Sequence, residues 1–200
     1  MELILATHNL DKRKELERAF KGARITIYTL KDFPEIGEII EDGDTLEENA
    51  FIKSRTVFSL TKIPTLSDDT GLEVDALNGK PGVHSARYAG EQSSYSDNVN
   101  KLLYDMENIK QQFRTATFKT IVTYVSHDLE LVAEGSVQGT ITKKPFGKQG
   151  FGYDSIFYVL SHQKTFAEMS VDEKNKCSHR GQAIANLKGL FKKYKLLSNN

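Results

Sequence analysis

The start of the chain predicts a strand, a helix and a second strand, and this order constrains the fold more than any other feature of the sequence. Leu3–Ala6 is a short continuous apolar run, which is typical of a strand covered on both faces. From Asp11 to Gly22 apolar side chains recur at three- and four-residue spacing, as in an amphipathic helix, and Ile25–Tyr28 alternates like a strand. Because a helical connection joins parallel strands, we predict an α/β fold.

The remaining segments extend this prediction to a mixed sheet. Thr45 and Glu48 match a capping box that begins a helix running to about Leu60. Residues 115–126 and 129–142 are dominated by β-branched and aromatic residues, so they predict a long antiparallel hairpin. The other predicted elements are strands at 65–67 and 153–159, helices at about 95–106 and from about 178, and a loose tail at 198–200.

The charge balance excludes one class of partners. Lys plus Arg and Asp plus Glu both number 27, so the formal net charge is zero and we expect neither a nucleic-acid nor a membrane partner. The single cysteine, Cys177, cannot form an internal disulfide, and no apolar run approaches the ~18 residues of a membrane span. The N-terminal residues lack a basic leader, and we therefore predict a cytoplasmic protein.

The turn between the first strand and the first helix is a candidate phosphate site. A helix N-terminus presents unpaired N–H groups and partial positive charge, and Lys12 adds a full charge there. The alternative is an ordinary turn that Asn9 or Asp11 caps. Both interpretations remain open from the residues alone.

Asp68 and Asp69 are adjacent carboxylates that follow the apolar strand at 65–67. Ligands of α/β sheets bind beyond the carboxyl ends of strands, and Mg²⁺ takes one or two carboxylates together with water and substrate phosphates. An Asp-rich turn is the alternative. Glu48 is a third candidate ligand, although the capping box competes for the same carboxylate, and Lys53 lies further along that helix.

Two later segments suggest a site for a flat ligand. The loop at 146–154 combines three glycines with three aromatic residues, which can stack on a base or can simply belong to the core. Ser178 is the predicted N-cap of the last helix, with His179 and Arg180 in its first turn. Cations at a helix start oppose its dipole, so this pair suggests an anionic group nearby.

Taken together, these segments resemble the inosine triphosphate pyrophosphatase family over nearly the whole chain. Each block is weak by itself, and their order and spacing carry the resemblance. The matching blocks are Ala6–Asn9 with Lys12, Thr45–Ala50 with Lys53, Ser67–Val74, Pro81–Gly90, Phe151–Asp154 and Ser178–Ala183.

The resemblance implies that a nucleoside triphosphate is cleaved between its α and β phosphates, giving the monophosphate and pyrophosphate, with Mg²⁺ required. It implies Asp69 as the base that activates the attacking water and as a metal ligand, with Asp68 and Glu48 as further ligands. The implied substrate-binding residues are Thr7, His8, Asn9, Leu10, Asp11, Lys12, Lys53 and Lys174 for the triphosphate, Phe151 for stacking on the base, Tyr153, Asp154, His179 and Arg180 for the base pocket, and Thr70 and Gly152 beside them.

The family also implies an architecture and a substrate preference. We expect one domain over residues 1–200, with an elongated mixed β-sheet flanked by helices, two lobes, a central cleft for the nucleotide, and assembly as a homodimer. The family prefers 6-keto purines such as ITP, dITP and XTP, and we hypothesise that Arg180 donates to O6. The alternatives are a non-catalytic purine nucleotide-binding module and a phosphotransferase or phosphatase that would release orthophosphate.

Overall fold

The computed structural model describes residues 1–22 and 24–196, so the predicted tail at 198–200 lies outside the described residues. The mixed α/β fold is confirmed. Within the described part of the chain, no helix is long and apolar enough to cross a membrane. The helices are α1 Leu10–Ala19, α2 Leu46–Thr61, α3 Tyr95–Asp105, α4 Val171–Cys177 and α5 His179–Lys193, and the strands are β1 Glu2–Leu5, β2 Thr26–Thr29, β3 Thr65–Val74, β4 Pro81–Gly82, β5 Thr115–Val125, β6 Glu130–Ile141, β7 Phe157–Val159 and β8 Lys164–Thr165.

These strands form one eight-stranded sheet in the order β2-β1-β3-β5-β6-β7-β8, with β4 antiparallel to β3. β1 pairs in parallel with both β2 and β3, which confirms the parallel pairing predicted from the first strand, helix and strand. The hairpin of β5 and β6 is also present, and the N–H of Ser126 donates to the carbonyl of Leu129 at 2.9 Å in its turn. The sheet is therefore mixed, as predicted.

The chain divides into two compact units. The first comprises residues 1–69, 120–135 and the chain from Arg180 onward, and the second comprises residues 70–119 and 136–179. In the first unit, Leu3 and Leu5 pack with α1 and α5, while Ile4 packs with Val57 of α2. Because β1 is covered on both faces, its sequence is continuously apolar instead of alternating.

The second unit has an aromatic core. Phe118 of β5 lies with its ring centroid 4.8 Å from that of Phe157 and 6.2 Å from that of Phe166. Val99 and Leu102 bring α3 onto the same cluster. The amphipathic helix predicted at 95–106 is thus confirmed, with its apolar face in this core.

Two boundaries and one short helix differ from the predictions. β3 continues to Val74 instead of ending before Asp68, and β7 begins only at Phe157 because the residues before it form turns. Gly150 and Gly152 have positive φ angles of 75° and 59° there, which a regular strand does not accommodate. The short helix α4 was not predicted, since seven residues carry little periodicity.

Candidate functional site

In the turn between β1 and α1, Asn9 is the N-cap of the helix. Asn9 Oδ1 accepts hydrogen bonds from the N–H groups of Asp11 at 2.9 Å and Lys12 at 3.1 Å. Thr7 Oγ1 accepts from the N–H of Asn9 at 3.2 Å, and His8 Nε2 lies 3.2 Å from the carbonyl oxygen of Gly37. The side chain of Leu10 is exposed. The capping interpretation of this turn is confirmed, and its geometry also aims the first turn of α1 towards the acidic pair.

Lys12 lies against both members of that pair. Its Nζ is 3.4 Å from Asp68 Oδ2 and 3.9 Å from Asp69 Oδ1. The two aspartates lie within β3, but β1 pairs with β3 only as far as Leu66, so they stand beyond the carboxyl end of β1. The predicted placement at a strand end therefore applies to the neighbouring strand and not to β3 itself.

Asp68 belongs to a buried charge network. Arg180 Nε donates to Asp68 Oδ2 at 3.1 Å, and Arg180 Nη1 donates to Glu15 Oε2 at 2.5 Å, with both Asp68 and Arg180 almost completely buried. Burial alone would raise the pKa of Asp68, but Lys12 and Arg180 hold it well below its usual range. The folded protein therefore favours the ionised form of Asp68, and the guanidinium of Arg180 binds two carboxylates. The role of Arg180 as the donor to O6 stays a prediction.

Asp69 lies in a different electrostatic environment from its neighbour. Its Oδ1 is 3.7 Å from Lys53 Nζ, and Lys53 also contacts the carboxylate of Glu41. Burial raises the pKa of Asp69, Lys53 and Lys12 lower it, and Glu41 and Asp68 raise it again, so that the net shift is upward. A carboxylate with a raised pKa is a better proton acceptor than an ordinary surface aspartate.

Glu41 was not identified from the sequence. It lies in an acidic, irregular segment without periodicity, and only the fold brings it to Lys53. Asn49 fixes this segment, because its Oδ1 accepts from the N–H of Gly43 at 2.9 Å and its Nδ2 donates to the carbonyl of Gly43 at 3.3 Å. A Cβ at Gly43 would lie 2.7 Å from the Cβ of Glu48, so the close approach requires glycine.

Glu48 has the capping role. Its Oε2 accepts from the N–H groups of Asp44 at 2.8 Å and Thr45 at 3.0 Å, while its own N–H donates to Thr45 Oγ1 at 3.1 Å. The expected gathering of Glu48 with Asp68 and Asp69 is absent: across the described residues, no group of three or more His, Cys, Asp or Glu side chains is placed to hold a metal ion. The reason is that the N–H groups of Asp44 and Thr45, just before α2, bind the Glu48 carboxylate.

The aromatic loop lies in the second unit and is built around Asp154. Lys174 Nζ donates to Asp154 Oδ2 at 2.7 Å, both side chains are buried, and the N–H of Phe151 donates to the same oxygen at 2.8 Å. Lys174 Nζ also lies 4.8 Å from the centroid of the Phe151 ring, which is half-buried. The structure therefore places Lys174 beside the predicted stacking ring, and its contact with the triphosphate stays a prediction.

The other predicted residues of the second unit take structural contacts. The hydroxyl of Tyr153 donates to the carbonyl of Ser85 at 2.9 Å, and His179 stacks on Phe118 with centroids 4.3 Å apart. Gly152 occupies the turn before β7, and the half-buried Thr70 follows Asp69 on β3. Tyr153 and His179 are buried, so each contributes one edge or face at most to a ligand.

Glu15 is a second functional candidate that sequence reasoning missed. It lies on the first helix among several charged residues, and the helical pattern alone makes it an ordinary solvent-facing residue. In the structure its side chain is only 13% exposed because it binds Arg180, which is 165 positions away in the chain. Neither the neighbouring residues nor the helical periodicity of the sequence indicates a contact over this separation.

The arrangement can act on an anionic ligand. In the first unit, Lys12 and Lys53 place two ammonium groups next to Asp69, so phosphate oxygens and a proton-accepting carboxylate can meet there. In the second unit, the Phe151 ring can stack on a planar group.

Similar proteins occur among known sequences and solved structures. The profile of the Ham1 family matches residues 3–190. The chain is 45% identical over 193 residues to the dITP/XTP pyrophosphatase of Thermoanaerobacter sp. (strain X514), covering 96% of this chain and 98% of that protein. It is 45% identical over 188 residues to the dITP/XTP pyrophosphatase of Shouchella clausii (strain KSM-K16), covering 94% of each. The Staphylococcus aureus Ham1 protein has a TM-score of 0.88 at 35% identity, covering 97% of this chain and 100% of that one.

Proposed function

Because the chain belongs to the Ham1 family, we propose that it hydrolyses nonstandard purine nucleoside triphosphates to the monophosphate and pyrophosphate. Its relatives from Thermoanaerobacter and Shouchella are dITP/XTP pyrophosphatases, and they match it over nearly their full lengths. The substrates that follow are dITP and XTP, with ITP as the ribose counterpart of dITP. The observation that carries the chemistry is the buried carboxylate of Asp69 between Lys12 and Lys53.

Asp69 is the proposed general base. It takes a proton from the attacking water, whose oxygen bonds to phosphorus while the bond to the bridging α–β oxygen breaks and pyrophosphate departs. Its raised pKa favours proton uptake, and Lys12 and Lys53 stabilise the charge that builds on the phosphate oxygens.

Mg²⁺ is the proposed metal cofactor, and two carboxylates of the first unit are its proposed ligands. Asp69 and Glu41 both lie next to Lys53, and two carboxylates with water and substrate phosphates are the environment that Mg²⁺ takes in phosphate-handling sites. We assign these two residues as its holders, with Asp68 fixed behind them by Arg180. When bound, Mg²⁺ neutralises charge on the phosphates.

The second unit handles the base in this proposal. Phe151 stacks on the purine, and the buried ion pair of Lys174 with Asp154 supports the ring and its loop. Tyr153 and His179 limit the space available to the base. The complete proposal has one domain with two lobes, acting in the cytoplasm as a homodimer, without a nucleic-acid or membrane partner.

One assay tests this function. The protein with Mg²⁺ is incubated with dITP, ITP, XTP, GTP and dATP, and pyrophosphate and orthophosphate are measured separately. We expect pyrophosphate and monophosphate from the first three, slower turnover of the last two, and no turnover with a chelator. Binding of dITP without product would favour the non-catalytic module, and orthophosphate as the first product would favour a phosphatase.

A further inference from the structure

Three buried hydroxyl groups converge on one backbone carbonyl of the first unit. Ser67 Oγ lies 2.5 Å, Ser54 Oγ 3.1 Å and Thr123 Oγ1 3.1 Å from the carbonyl oxygen of Ala50. Thr123 Oγ1 also lies 2.9 Å from Ser54 Oγ and 3.1 Å from Ser67 Oγ. The cluster joins three elements, because Ser54 and Ala50 belong to α2, Ser67 to β3 and Thr123 to β5.

Hydroxyl groups at these positions are not what packing alone would select. All three side chains have 0% exposure, where an apolar residue of the same size would fill the space without desolvating a polar group. Apolar contacts are non-directional and let a helix shift along a sheet, whereas hydrogen bonds fix distance and angle. The cluster therefore fixes α2 against β3 and β5 at the position of Ala50.

The hydroxyl cluster lies beside two of the proposed catalytic residues, Lys53 and Asp69. Lys53 precedes Ser54 in α2 and shares the buried face of that helix with Ala50. Ser67 and Asp69 are two residues apart in β3, so they project from the same face of the strand. Fixing Ser54 against Ser67 consequently fixes the Lys53 ammonium against the Asp69 carboxylate, whose atoms are 3.7 Å apart.

We propose that Ser54, Ser67 and Thr123 are positioning residues that hold Lys53 at its distance from Asp69 for the chemical step. This inference rests on the proposed pyrophosphohydrolase function, and it adds residues that touch neither phosphate nor water. A misplacement of about 1 Å by a remote residue can cost roughly 100-fold in rate, so a modest shift of α2 along β3 is enough to slow turnover.

The sharpest test uses Thr123, because its hydroxyl can be removed without changing the side-chain volume. Thr123→Val deletes the hydroxyl, and Thr123→Ser keeps it. With dITP and Mg²⁺ we expect Thr123→Val to lower kcat about 10-fold or more with KM within about 2-fold, and Thr123→Ser to stay within about 2-fold of the parent protein in kcat. The rates are divided by the folded fraction, measured by circular dichroism at the assay temperature.

Thr65→Val is the matched control. Thr65 is a fully buried threonine on the same strand face as Ser67, and its hydroxyl donates to the carbonyl of Ile63 at 2.9 Å instead of to the hydroxyl cluster. We expect this variant to lose stability and to keep its kcat. Equal kcat values for Thr123→Val and Thr65→Val would overturn the positioning role, as would a failure of Thr123→Ser to retain activity while folded.

A double-mutant cycle identifies the residue through which the hydroxyl cluster acts. If Thr123 works by placing Lys53, then adding Thr123→Val to Lys53→Ala causes no further loss of kcat. Two losses that multiply would show that the hydroxyl acts elsewhere. The unsubstituted protein is measured in the same series: absence of pyrophosphate there contradicts the proposed function, whereas an active parent with an unaffected Thr123→Val contradicts only this inference.

Discussion

Two lysines, one in each compact unit, contact their carboxylates in different ways. In the first unit, Lys12 Nζ is 3.4 Å and 3.9 Å from two carboxylates, so it is shared between them at more than direct hydrogen-bond distance. In the second unit, Lys174 Nζ donates directly to Asp154 at 2.7 Å and covers the ring of Phe151. The ammonium of Lys12 can turn to an incoming phosphate, while that of Lys174 supports the loop and the ring beside it. The difference suggests phosphate chemistry in the first unit and base stacking in the second.

The largest expected effect is on catalysis in the first unit. Asp69→Asn removes the proton acceptor but keeps the shape of the side chain, so kcat for pyrophosphate release from dITP should fall at least about 100-fold, the usual contribution of a general base. Asp128→Asn is the matched control, because Asp128 is 92% exposed in the turn of the hairpin. Near-normal turnover by Asp69→Asn would remove Asp69 from its role.

The next largest effect is a loss of unfolding free energy on substitution of Asp68. Asp68→Asn leaves the buried Arg180 with a weaker set of partners, and breaking a buried ion pair costs about 3–5 kcal/mol of unfolding free energy. Because the folded pKa of Asp68 is lowered, its contribution is present above its ordinary pKa near 4 and is lost as the pH falls further. Urea unfolding from pH 3 to pH 7 should show a smaller acid dependence in Asp68→Asn. The same change of unfolding free energy with pH in the parent protein and in Asp68→Asn would contradict a stabilising ion pair between Asp68 and Arg180.

The smallest expected effect is a gain of unfolding free energy on substitution of Asp69. Its folded pKa is raised, so the ionised form is disfavoured by folding, and stability is lost as the pH rises through that pKa. Asp69→Asn removes this cost while Lys53 keeps Glu41, and we expect a gain of about 0.5–2 kcal/mol at pH 7, as is usual for relief of an active-site cost. Thermal and urea unfolding measure it. Destabilisation at pH 7 would show that Asp69 is chiefly structural.

The local features of this protein could be predicted from the sequence, and the long-range contacts could not. The Asn9 cap, the capping box of Thr45 and Glu48, and the parallel first strands depend on neighbouring residues and periodicity. Glu41 and Glu15 reach the site through contacts made only when distant segments pack. The capping role of Glu48 was one of two open interpretations, because the same carboxylate matches both a capping box and a metal ligand.

The assignment of phosphate binding to the first unit and base binding to the second is tested most directly with two inhibitors, each of which resembles one half of the nucleotide. Tripolyphosphate and deoxyinosine are measured as inhibitors of dITP hydrolysis by the parent protein, Lys12→Met and Phe151→Leu. We expect Lys12→Met to raise the inhibition constant of tripolyphosphate about 10-fold or more and to leave deoxyinosine unchanged. Phe151→Leu should raise that of deoxyinosine about 5- to 100-fold and leave tripolyphosphate unchanged. Equal weakening of both inhibitors by both variants, or the reverse pattern, would contradict the assignment of phosphate to the first unit and base to the second.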